Sequence, residues 1–208
     1  MNSEGKAPSA QKTEAVAIGG KSGPMIRPNP LFRREAEQAS GENLSSCYQC
    51  EKCSTGCPVA FAMDILPHLV MYSVRLGLRD EVLRSSTIWV CASCETCTTR
   101  CPNDIDIAKV MDTLRQIAVK SGVALGQRNI HIFHSTFLDS IKKRGRVDEL
   151  EMLRQYATRS GTLGQLAKQA KLGWQMFQRG KLRLFSAKTR GTKDIKKIFA
   201  QAEKGQGK

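Results

Sequence analysis

"CYQCEKCSTGCP", residues 47–58, and "CASCETCTTRCP", residues 91–102, decide the fold of this chain. Both read C-x2-C-x2-C-x3-C-P. Together they hold all eight cysteines of a 208-residue protein. Four thiolates at this spacing suit a cubane iron–sulfur cluster, which needs sulfurs at the corners of a compact tetrahedron. Two-residue spacers let one loop supply three of them while its amide N–H groups face the sulfides. The fourth cysteine follows before a proline, where the chain turns away.

In bacterial two-cluster proteins that last cysteine ligates the other cluster. On that precedent one 4Fe-4S cluster takes Cys47, Cys50, Cys53 and Cys101, and the other takes Cys91, Cys94, Cys97 and Cys57. The duplication then builds two clusters and staples the halves together. Structural zinc also uses C-x2-C pairs, but as two pairs rather than as two triplets with a trailing Cys-Pro.

Outward from the motifs, the composition is polar and basic. Hydrophobic residues make up 40% and the formal net charge is +14. That charge favours anionic partners: acidic protein surfaces, nucleic acid, membrane surfaces or an anionic cofactor. The first twenty residues hold no apolar run of signal-peptide length, and no stretch approaches the roughly 18 apolar residues of a membrane span. The expectation is a cytoplasmic chain without a membrane span, its thiols reduced and used as ligands.

Residues 1–43 are rich in Gly, Ser, Pro and charge, and read as a flexible N-terminal tail. Residues 44–161 read as helical. Asp64 is the expected cap of a helix near Ile65, with Leu69, Val70, Val74 and Leu76 on its apolar face and Gly77 at its end. Asp80 is the expected cap of a short helix through Leu83. Asp106 opens a helix carrying Val110, Leu114, Ile117 and Ala118, ending at Gly122. A further helix starts at Asn129, with Phe133, Phe137 and Ile141 on one face, and stops at Gly145. Asp148 and Gly161 bound another. The 33-residue spacer between Cys57 and Cys91 reads as helix rather than strand, so the predicted class is mainly α, an α-helical ferredoxin-like domain.

Residues 162–208 change character again. From Gly161 onward nine Lys and three Arg oppose Asp194 and Glu203, a net +10. Trp174, Phe177, Leu182, Leu184 and Phe185 are interleaved with them. This predicts a basic C-terminal extension that docks on a partner protein.

Nothing suggests a catalytic constellation. His131 and His134 stand at i, i+3 on a predicted helix with no third ligand placed to join them. Trp89, two residues before Cys91, reads equally as a cover over a cluster or as a core residue.

Four segments, "CYQCEKCSTGCPVA", "TIWVCASCETCTTRCPNDIDIAKVMDTLR", "FHSTFLDSIKKRGRVDELEML" and "GKLRLFSAKTRGTKDIKKIF", resemble the C-subunit family of heterodisulfide reductase over residues 44–202. The resemblance implies an electron-transfer subunit with two 4Fe-4S clusters on all eight cysteines. It also implies partners: a flavin-containing A-like subunit and a B-like catalytic subunit acting on disulfides or other sulfur compounds. Two other readings differ in class. One is the iron–sulfur subunit of a glycolate or glycerol-3-phosphate dehydrogenase, although those often carry extra cysteine-rich domains. The other is an iron–sulfur nucleic-acid protein, suggested only by the basic C-terminus; no nucleic-acid partner is expected.

Overall fold

The computed structural model describes residues 28–168, 170–181 and 189–205. Among them the regular structure is helical: α1 (Pro30–Ser40), α2 (Lys52–Thr55), α3 (Pro67–Arg75), α4 (Arg79–Arg84), α5 (Thr87–Val90), α6 (Thr96–Thr99), α7 (Ile107–Lys120), α8 (Arg128–Arg144), α9 (Glu149–Ser160), α10 (Leu163–Lys168), α11 (Ala170–Gln178) and α12 (Thr192–Gly205). This is the mainly-α, helical-ferredoxin arrangement that the helical spacer implies. No helix among the described residues is long and apolar enough to cross a membrane.

The core forms where α1, α3, α4 and α7 converge. Phe32, Met71, Leu83, Met111 and Leu114 are fully buried there. Each such side chain contributes about 1.5–3 kcal/mol by leaving water. Asp106 caps α7 as its sequence predicts, accepting from the Lys109 amide at 3.0 Å. Asp148 caps α9 through the Glu151 amide, and Gly145 and Gly161 end α8 and α9 in the left-handed conformation.

Part of the expected N-terminal tail belongs to this core. Residues 1–27 lie outside the described residues, but α1 is built on Asn29 as N-cap, Pro30 in the first turn and Gly41 as a left-handed C-cap. Phe32 and Ala36 are wholly buried against the other helices. Glu42 then fastens this end to α7, accepting from the Asp106 amide at 3.1 Å and pairing with Lys109 at 3.3 Å.

Two expected caps are corrected. Helix α3 begins at Pro67 with Leu66 as its N-cap. Asp64 instead receives the Ser86 and Thr87 amides at 2.8 and 3.0 Å and the Thr87 hydroxyl at 2.7 Å, tying the first motif's exit to the entry of the second. Asp80 sits inside the first turn of α4, not at its cap. The buried stripe of α3 is Pro67, Val70, Met71 and Val74, leaving Leu69 and Leu76 exposed.

Helices α8, α9 and α12 pack as a second layer. On α8 the buried positions are Ile132, Thr136 and Ser140 rather than the expected phenylalanine face. Phe133 stacks on Phe137 and meets Tyr156 of α9 edge-on at 6.1 Å. Lys142 pairs with Glu203, and the Thr189 amide donates to the Arg144 carbonyl at 3.0 Å. So α12, within the basic extension, folds back on its own chain. In α11, by contrast, Leu172, Trp174 and Phe177 are exposed. Leu182, Leu184 and Phe185 lie outside the described residues.

Candidate metal centre

The two cysteine motifs adopt one backbone conformation, displaced by 44 residues. Gln49 and Ser93 have φ of 62° and 51°, and Glu51 and Glu95 have φ of 61° and 60°. Left-handed backbone is uncommon for non-glycine residues, and its recurrence at matched positions marks a loop wound round something. Each loop then enters one helical turn, α2 or α6, carrying its third cysteine.

A serine or threonine after that third cysteine anchors the next long helix. Ser54 Oγ accepts the His68 amide at 3.1 Å and pairs with His68 Nδ1 at 2.7 Å, at the start of α3. Thr98 Oγ1 donates to the Asp106 cap at 2.9 Å, at the start of α7. Two arginines hold the other side of the loops. Arg75 of α3 donates to the Cys47 carbonyl at 2.6 Å, and Arg115 of α7 donates to the Cys91 carbonyl at 2.7 Å.

The motifs meet through α2 and α6. Their equivalent positions 56 and 100 face each other: a Cβ on Gly56 would stand 2.8 Å from the Arg100 side chain. The glycine leaves room for the Arg100 side chain to lie across the first loop. A cleft with about 370 Å³ of free space, open mouth included, is lined by Cys57, Cys91, Cys94 and Cys97, with Val59 and Met111 among its apolar walls. Three of these thiols come from the second motif and one from the first. For the other set, Asn103, two residues after Cys101, donates its amide to the Ser46 carbonyl just before Cys47. Tyr48 lies beside both Cys50 and Cys101. Its phenol is raised in pKa, first by desolvation, then by the Cys50 charge and hydrogen bond, then by Cys101.

Cys53 is buried, Cys50 and Cys94 are exposed, and the other five are intermediate. Burial pushes the Cys53 thiol up to about 11 and raises Cys97. The Thr96 hydroxyl, then the Thr96 amide, lower Cys94. Thiols that burial disfavours as anions need a cationic body to deprotonate them, which iron supplies. Among the described residues no three His, Cys, Asp or Glu side chains converge on a single-ion position. The second loop, with Cys57, instead borders a cleft walled by thiols and apolar side chains, and the eight-thiol donor set fits 4Fe-4S clusters.

Trp89 is buried in the core and packs edge-on against His131 at 5.6 Å. It does not line the cysteine cleft. With His131, His134 and Arg115 it borders a separate shallow cleft. Burial, then Arg115, then His131 lower the pKa of His134.

Residues 43–105 match the 4Fe-4S dicluster domain family. The chain is 36% identical over 110 residues to an iron–sulfur C-subunit, the second of its kind, of the CoB–CoM heterodisulfide reductase of Methanocaldococcus jannaschii, covering 52% of this chain and 59% of that protein. It is 35% identical over 105 residues to the corresponding iron–sulfur C-subunit of Methanopyrus kandleri, covering 50% and 53%. It is 30% identical over 127 residues to a protein of Archaeoglobus profundus described as like the heterodisulfide reductase C-subunit, covering 56% and 68%. The chain thus spans little more than half the length of the first two relatives.

Proposed function

From the premise that this chain belongs to the C-subunit family of heterodisulfide reductase and is an iron–sulfur electron-transfer protein, we propose that it wires a flavin-containing subunit to a thiol- or disulfide-active catalytic subunit. The 4Fe-4S clusters supply one-electron storage at each of two positions. The protein's part is to hold them, insulate them and present them to partners. Cys47, Cys50, Cys53 and Cys101 hold one; Cys91, Cys94, Cys97 and Cys57 hold the other. The observation that carries this is the cleft where Cys57 joins the three loop thiols of the opposite motif. Arg75, Arg115, Ser54 and Thr98 fix the loops to α3 and α7, so the ligand sulfurs need little rearrangement when charge arrives.

Domain limits follow the same logic. The cluster-binding unit runs from α1 through α9, and residues from 162 onward supply a basic extension of which α11 remains for a partner. A cytoplasmic setting agrees with eight reduced cysteines.

The test is anaerobic purification with iron and acid-labile sulfide analysis, followed by isolation of the native complex. About eight irons and eight sulfides per chain are expected. Co-isolation with a flavoprotein and a thiol-active protein supports the wiring role. Stoichiometric zinc, or isolation with neither partner, overturns it.

A further inference from the structure

The motifs share a backbone but not an electrostatic setting. Their arginines are equivalent in position, each on the long helix after its motif and each bonded to the first cysteine's carbonyl. Arg115 stands beside Asp112, at 4.0 Å, and spends further N–H groups on the Ile88 carbonyl and Ser93 hydroxyl. No ion pair is found for Arg75 among the described residues; its hydrogen bond goes to the Cys47 carbonyl. One arginine is partly neutralised and the other is not.

A polar side chain reaches a ligand sulfur in each motif. In the first motif the Gln49 side-chain amide donates to Cys47 Sγ at 3.2 Å. In the second, Ser93 replaces Gln49 and is engaged by Arg115, leaving the Thr96 hydroxyl beside Cys94 Sγ at 3.4 Å. Glu51 and Glu95 occupy equivalent places on the backbone, but Glu51 has His68 Nε2 at 3.8 Å, whereas the Glu95 charge bears on Cys94. Lys52 of the first motif is matched by neutral Thr96, and Arg100 of the second by Gly56, so cations on the loops themselves do not separate the two.

We infer that the cluster on Cys47, Cys50 and Cys53 is held at the higher reduction potential, with Arg75 as the positioning residue that raises it. A reduced cluster carries one more negative charge than its oxidised form. An uncompensated cation and N–H donors at the ligand sulfurs stabilise that extra charge, while a carboxylate beside the cation removes part of the effect. An electron on the chain therefore rests on the first-motif cluster, which gives the pair a direction. Gln49 acts with Arg75, and Asp112 sets the lower potential of the second cluster through Arg115. This rests on the ligand sets proposed above.

The experiment is a potentiometric titration of the anaerobic holoprotein, followed by electron paramagnetic resonance. Wild type is expected to show two separate midpoints. R75Q lowers the upper midpoint, changing the reduced-to-oxidised ratio at fixed ambient potential by about tenfold, and leaves the lower one in place. R75K retains the charge and restores most of the shift. D112N, at an exposed position that ligates nothing, raises the lower midpoint by about twofold in that ratio. A purely structural Arg75 would cost stability in R75Q and R75K alike and move neither midpoint selectively. One shared midpoint in wild type, or an R75Q shift in the lower midpoint, overturns the inference. So does an unmoved lower midpoint in D112N. A wild-type count well below eight irons per chain instead strikes the two-cluster reading beneath it.

Discussion

The Asn29 amide donates to the Gly77 carbonyl at 2.7 Å, and the Asn29 backbone fills the space that a Cβ on Gly77 would occupy. Gly77 also has φ of 76°, which only glycine adopts freely. This contact fastens the start of α1 to the end of α3. Gly77→Ala is therefore expected to cost about 2 kcal/mol or more, from collision and backbone strain together. Phe32→Ala should cost about 3–5 kcal/mol by opening a cavity in the core. Anaerobic urea titrations of the holoprotein check both; a change below about 0.5 kcal/mol in either would show that α1 is not part of the cooperative unit.

Cys57→Ser is expected to disturb the cluster on Cys91, Cys94 and Cys97, not the one beside it in sequence. Cys101→Ser should do the reverse. Magnetic spectra of the two single variants distinguish the cases. A strictly local disturbance in both would mean that each motif supplies its own fourth ligand.

Removal of iron should unfold much of the cysteine region, because cluster-binding free energy is also folding free energy there. Four left-handed non-glycine residues in the two loops add strain that the cluster must offset. Circular dichroism of apoprotein should show a lower helical signal and a lower melting temperature. An unchanged signal with cooperative melting would contradict this.

Asp64→Ala should destabilise the holoprotein by about 1–3 kcal/mol, since it leaves the Ser86 and Thr87 amides without their acceptor. Burial raises the Asp64 pKa, but the Thr87 hydroxyl and those two amides outweigh it and hold the carboxyl below its ordinary value. A depressed native pKa gives stability that is complete above the unfolded value and lost as pH falls through the native one. The gap between wild type and D64A should thus stay flat between about pH 5 and 8. A gap that changes across that window would require another titrating group.

Trp174 is 62% exposed and its ring lies 5.8 Å from Phe177 on α11. If this helix carries the partner contact, the W174A/F177A double variant should weaken the complex by about 2 kcal/mol, near thirtyfold in Kd. Pairs of Lys→Ala changes in the same region should mainly slow association and increase salt sensitivity. Surface plasmon resonance against the isolated partners measures both. Full-strength binding by the aromatic variant would return α11 to the status of a solvated surface.

The metal chemistry was legible because thiol spacing is a local property. So were Asp106, Asp148, Gly145 and Gly161, whose roles depend on neighbours within a turn. Helix α1 was missed although its punctuation is present: Asn29 as cap, Pro30 behind it, Phe32 and Ala36 four apart, Gly41 at the end. Two apolar positions in a polar stretch carry too little periodicity to stand out. Asp64 misled because its partners lie 22 and 23 residues away, whereas capping arguments look three residues ahead. Arg75 and Arg115 gave no signal either, since an arginine on a helix reads as solvated until the fold brings a cysteine carbonyl to it.

The seating of α1 against α7 has a consequence for synthesis. Phe32 leaves the ribosome roughly 80 residues ahead of Leu114 in the helix that covers it. At about 5–20 residues per second, that leaves an apolar side chain without its burial site for about 4–16 seconds. The first four thiols wait through much of the same interval for the second motif to emerge. The last wall of the core and the second set of sulfurs follow one another within about fifteen residues, Cys101 and then Leu114, and only then is there a finished vessel to fill.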